Sequence, residues 1–127
     1  MRDRNLERDI AYIKDMLLYI ERAREVIPRA NRYGIPLDDD MVISSISMNL
    51  GQVGEQLSSG KLSDEIKEKY SHIVSWQKIK GFRNFIYHNY GNLDYGKIRT
   101  ILEHVLPETE EQLQYILRDL RKELSEE

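Results

Sequence analysis

"DDDMVISSISMNLGQVGEQL" runs from Asp38 to Leu57. Within it Ile43, Ile46, Leu50, Val53 and Leu57 recur at steps of three and four. That spacing draws one apolar stripe along a helix, where a half-buried strand would need steps of two. The three aspartates stand where an N-cap and the first helical turn favour carboxylates. Three acids in a row could also hold a metal, but the cap explains them without one. Gly51 and Gly54 sit inside this helix, and each costs about 1 kcal/mol relative to alanine. Such spacing either lets another helix approach closely or is simply tolerated.

The same periodicity extends both ways. Upstream, Leu6, Ile10, Ile13, Leu17 and Ile20 mark a first helix over 3–26. "RANRYGIP" (29–36) then breaks it, with Gly34 and Pro36 as punctuation. Downstream, "SSGKLSDEIKEKY" (58–70) reads as a turn and a short helix opened by Ser63. Ser75 is suited to cap a helix from Trp76 towards Tyr90, with Trp76, Ile79, Phe82 or Arg83, and Ile86 on its inner side. Gly91 suits the left-handed position past its end. Asp94 can cap a last helical region reaching Leu124. Its stripes are Ile98, Leu102 and Val105, then Leu113, Ile116, Leu120 and Leu124. Pro107 between them should kink or divide it. No β-alternation of useful length appears. The sequence therefore predicts one all-α domain over residues 1–127, a bundle of four or five helices with a kinked or split last region.

Composition narrows the function. The chain has 127 residues and no cysteine, which removes disulfides and thiolate metal sites and points to a reducing interior. No apolar run approaches the roughly 20 residues of a membrane span. "MRDRNLERD" at the start is too charged for a signal peptide. The expectation is a cytoplasmic protein with no membrane partner. Between Gly60 and Arg99 eight basic residues stand against four acidic ones, a local positive excess in a chain of net charge −3. Local potential, rather than net charge, attracts a phosphate backbone. An ordinary solvated face is the plainer reading of such a stretch.

That stretch contains "GFRNFIYHNY" (81–90), with Arg83, Asn84, His88 and Tyr90. His72 and His104 read as structural or surface residues. His88 differs, because it falls in the last turn of its helix, where the dipole favours a cation. RNA can be cleaved by its own 2′-hydroxyl. That reaction needs a group titrating near neutrality and a fixed positive charge on the phosphoryl oxygens. Histidine and arginine supply them, and Lys78, Lys80, Lys97 and Arg99 can hold the flanking backbone. No metal is required, and the chain has no HExxH, EF-hand loop or cysteine cluster. GxxxxGK[ST] and GxGxxG are also absent, so nucleotide hydrolysis has no support. One difficulty remains. Residues five apart lie about 140° apart around an ideal helix.

A longer string carries more information. "WQKIKGFRNFIYHNY" (76–90), with Trp76, Ile79, Gly81, Arg83, Asn84, His88 and Tyr90, follows "NLGQVGEQL" (49–57), with Asn49, Gly54 and Glu55. In residues and order they resemble the HepT-like branch of the HEPN superfamily, over nearly the whole chain. The resemblance implies an all-α HEPN domain that dimerises and acts as a metal-independent endoribonuclease without a cofactor. It implies the toxin of a type VII toxin–antitoxin pair, with Arg83 and His88 catalytic and Asn84 supporting the site. It further implies an antitoxin that is a minimal nucleotidyltransferase, silencing the toxin by AMP transfer onto Tyr90. The family commonly reads "IGEA" where this chain reads "VGEQ", so Gln56 replaces a small residue and puts the local packing in question. The alternative is a non-catalytic HEPN module that binds RNA, a nucleotide or a nucleotidyltransferase, with Arg83 and His88 as ligand contacts. Two chains facing each other across a two-fold axis would bring arginine and histidine into one cleft. A distorted last turn within one chain would do the same.

Overall fold

A computed structural model describes residues 2–89 and 95–126. The order is α1 (Arg2–Arg32), α2 (Asp40–Glu55), α3 (Asp64–Lys69), α4 (Trp76–Asn89), α5 (Tyr95–Thr100), a π-helical turn (Ile101–Val105) and α6 (Leu106–Ser125). No strand occurs among the described residues. The protein is an all-helical bundle of five helices, the last joined from α5, the π turn and α6. Helix α1 packs against α2 and α6, and α2 packs against α4. None of the described helices is long and apolar enough to cross a membrane.

The apolar stripes make the core. Ile13, Met16 and Ile20 of α1, Ile46, Leu50 and Val53 of α2, and Leu113, Ile116 and Leu120 of α6 are buried. Ile79, Phe82 and Ile86 add the inner side of α4. The caps lie where the sequence places them. The Asp39 side chain accepts from the Met41 N–H at 2.8 Å. Ser63 Oγ accepts from Ile66 N–H at 3.3 Å, and Ser75 Oγ from Lys78 N–H at 3.4 Å. Asp94 and Gly91 lie outside the described residues.

Two boundaries differ from expectation. Helix α1 does not stop at Val26 but continues through Pro28 to Arg32. Val26 and Ile27 pack on the core and Ala30 is buried, so the apolar face persists past the proline. The helix ends only where Gly34 takes φ +69°, with Ile35 N–H bonding Ala30 O at 2.9 Å and Gly34 N–H bonding Asn31 O at 3.3 Å. That pair is a Schellman stop, which requires the left-handed residue. At Pro107 the last region is bridged by the π turn, where the Leu106 N–H reaches back to Ile101 O. The added width of a π turn accommodates a residue that lacks an N–H and crowds the preceding carbonyls.

The connection from α2 to α4 is tied down by polar side chains. Buried Asp9 of α1 accepts from Ser63 N–H at 3.0 Å and Ser63 O–H at 2.8 Å. Trp76 Nε1–H donates to Lys67 O at 2.8 Å, and Lys67 Nζ donates to Leu57 O at 3.0 Å. The Tyr70 O–H donates to Asp119 of α6, and burial together with that carboxylate pushes the phenol well above its ordinary range. Gln56 is buried without conflict, its Nε2–H donating to Gln52 O at 3.2 Å.

The two glycines of α2 have different work. A Cβ on Gly54 would lie 2.9 Å from Arg83 Cβ, 3.1 Å from Ile79 O and 3.2 Å from Arg83 N. A Cβ on Gly51 would meet nothing within 4 Å. Gly54 therefore admits the backbone of α4, while Gly51 is tolerated. Gly51→Ala should stabilise the protein by up to about 1 kcal/mol through helix propensity. Gly54→Ala should destabilise it by roughly 1–3 kcal/mol despite the same gain, because backbone must move. Urea unfolding of both variants checks this, and equal stability of the two would remove the close-approach role of Gly54.

Candidate functional site

Asn84 and His88 of "GFRNFIYHNY" lie on α4, opposite the buried edge made by Ile79, Phe82 and Ile86. Asn84 and His88, four apart, are both exposed and share one side of the helix. Lys80, four residues before Asn84, is exposed on the same line. This gives a lysine–asparagine–histidine stripe one turn apart at each step. Lys78 is exposed near the start of α4. Helix α4 is α-helical through Asn89, so Arg83 and His88 keep their wide angular separation. The distorted last turn considered from sequence is not present in the described part of α4.

Arg83 faces another way, towards α2. Its Nε lies 2.6 Å from Glu55 Oε2. That nitrogen is itself buried and its contact with Glu55 is an ion pair rather than an aligned hydrogen bond, although 35 % of the side chain is exposed. The accessible surface therefore belongs to other atoms of the side chain. The other carboxylate oxygen of Glu55 lies 3.9 Å from Lys61 Nζ. Glu55 thus stands between two cations at the end of α2. Sequence reasoning quoted Glu55 as part of a motif but gave it no place in the site. The available signal was position: Glu55 is the first charged residue after Asp40 on α2.

The other expected residues divide. Lys97 and Arg99 are exposed on α5. Arg99 Nε donates to Glu103 Oε1 at 2.6 Å, and its guanidinium carbon lies 6.0 Å from the centre of the Tyr95 ring. The hydrogen bond between them holds the Arg99 guanidinium above and the Glu103 carboxyl below its ordinary value. The charge of Arg99 is thus partly neutralised. Tyr90 lies outside the described residues. His72 and His104 are exposed on other segments. Among the described residues no group of three His, Asp or Glu side chains could hold a metal ion.

The described glycines and aromatics of α2 and α4 are covered, wholly or in part, within one chain. Gly51, Gly54 and Phe82 are buried, and Trp76 and Phe85 are half-buried against the core. Exposed apolar side chains lie at Met41 and Met48 of α2 and, elsewhere, at Leu18, Tyr33 and Tyr115.

Fold and site together define a small all-helical domain that displays arginine, asparagine and histidine along one helix beside a carboxylate. The profile of the Ribonuclease HepT-like family matches residues 16–116, and the chain belongs to that family. No curated protein and no solved structure matches it.

Proposed function

We propose that the protein is a metal-independent endoribonuclease, the toxin of a type VII toxin–antitoxin pair. The observation that carries this reading is the placement of Arg83, Asn84 and His88 on α4 inside the span matched by a ribonuclease family. The 2′-hydroxyl of the RNA attacks the adjacent phosphorus and the 5′-oxygen leaves, giving a 2′,3′-cyclic phosphate and a 5′-hydroxyl. His88 exchanges the proton, and Arg83 stabilises charge building on the phosphoryl oxygens. Asn84 supports the site. Lys78, Lys80 and Lys97 hold the flanking backbone, with a smaller share for Arg99.

The wide separation of Arg83 and His88 favours a homodimer whose two α4 helices share one cleft. An exposed histidine on one face and an arginine turned towards α2 on another suit a phosphate approached from two chains. In light scattering the protein should run at about twice the 15.1 kDa chain mass.

On total RNA, His88→Ala should lose activity by on the order of 10²-fold or more while keeping its fold. Wild-type cleavage should survive EDTA and leave cyclic phosphate ends. Cleavage by His88→Ala at the wild-type rate removes the catalytic assignment. In that case the competing reading, a binding module that uses Arg83 and His88 as ligand contacts, takes its place.

Silencing is assigned to Tyr90 and a minimal nucleotidyltransferase partner. The phenol oxygen attacks the α-phosphorus of ATP and pyrophosphate leaves, placing an anionic AMP group two residues from His88. Charge and bulk then exclude the RNA phosphate. Co-expression with the partner enzyme should add an AMP mass to the tryptic peptide carrying Tyr90, and cleavage should fall with occupancy. Tyr90→Phe should escape both. Full silencing of Tyr90→Phe by the partner places the switch on another residue.

A further inference from the structure

We infer that Glu55 is a positioning residue for the ribonuclease reaction, acting through Arg83. The inference rests on the ribonuclease reading and adds a residue to it.

Three observations converge on Glu55. Its Oε2 lies 2.6 Å from Arg83 Nε, the nitrogen nearest the aliphatic stem. The contact is an ion pair rather than an aligned hydrogen bond, and it draws the guanidinium towards Glu55 and limits the rotamers open to the arginine. Nε is buried while a third of the side chain is accessible, so the contact is at the base of the guanidinium and the accessible surface belongs to other atoms. Second, Gly54 precedes Glu55 and lies against Arg83, since a Cβ there would come 2.9 Å from Arg83 Cβ and 3.2 Å from Arg83 N. The carboxylate is therefore carried on the one piece of α2 whose distance from Arg83 is fixed by backbone contact. Third, Lys61 Nζ lies 3.9 Å from the opposite oxygen, Oε1. The carboxylate is bracketed from both sides, and the three groups together keep a net positive charge for a phosphate.

An arginine that acts on a transition state needs a planar fork held in one orientation. A free arginine side chain samples many rotamers, and ordering it at the moment of reaction slows the step. Glu55 orders it beforehand. The same contact has little to give to stability, since both side chains are partly exposed and such ion pairs contribute little. A positioning role and a merely structural one therefore predict different outcomes.

The test is single-turnover cleavage of a labelled RNA strand by the full-length protein and its Glu55→Ala, Glu55→Gln, Arg83→Ala and Glu55→Ala/Arg83→Ala variants. Glu55→Ala should lower the maximal rate roughly 10- to 100-fold while half-saturation changes less than about threefold. Glu55→Gln keeps the shape of the side chain but loses the charge of the ion pair, and should fall between wild type and Glu55→Ala. Melting temperatures should stay within a few degrees of wild type. In the Arg83→Ala background, loss of Glu55 should have no further effect, because its only route is through Arg83. A wild-type rate for Glu55→Ala, with Arg83→Ala impaired, overturns the inference and leaves the ribonuclease reading standing. A further loss in the double variant also overturns it, because Glu55 then acts on its own. Unimpaired cleavage by Arg83→Ala, or no cleavage by wild type, defeats the ribonuclease reading itself and the inference with it.

Discussion

The contact between Gly54 of α2 and the Ile79–Arg83 backbone of α4 is the constraint on which the site depends. Without a side chain at residue 54 the two helices meet backbone to backbone. Everything polar at the site is then placed by that crossing. Arg83 is laid against Glu55, the residue after the glycine, and Ile79, Phe82 and Ile86 are turned into the core. The side of α4 away from the core is left to Lys80, Asn84 and His88. The helix gives up about 1 kcal/mol of propensity at the glycine. Close packing of α4, and burial of its apolar edge, offset that loss.

A crossing this tight needs its connection held as well. The segment between α2 and α4 buries Leu57, Leu62, Ile66, Tyr70 and Val74 in the core, and polar ties fasten it at further points. Asp9 binds Ser63, Trp76 binds the Lys67 carbonyl and Tyr70 binds Asp119. Each tie reaches a different part of the bundle. Together they fix where α4 starts, and hence the angle at which its polar side faces solvent.

Most of the fold was legible because each helix carries local signals that agree with its packing. Asp39, Ser63 and Ser75 act as the caps their side chains suggest. The end of α1 was less legible, because a proline and a polar run at 28–33 resemble a break. Burial of Ala30 and the left-handed Gly34 decide the boundary instead. Pro107 was legible as a disruption, but not as a π turn, which depends on how the chain relaxes around the ring. For the site, the sequence singled out Arg83, Asn84 and His88 as candidates but gave no sign of what lies against the arginine. Local reading cannot pair residues 28 positions apart, and Glu55 becomes meaningful only once Gly54 brings α4 against it.

The central claim is that arginine and histidine act together in a cleft formed by two chains, because one regular helix cannot aim both at one phosphate. The most direct measurement mixes two defects. Arg83→Ala and His88→Ala chains, carrying different tags, are co-expressed and the mixed dimer is isolated by both tags. In a shared cleft one intact arginine and one intact histidine remain, from opposite chains. The account predicts that the mixed dimer cleaves RNA well above either inactive parent dimer. A mixed dimer as inactive as its parents would show that each chain builds its own site, and would contradict the account.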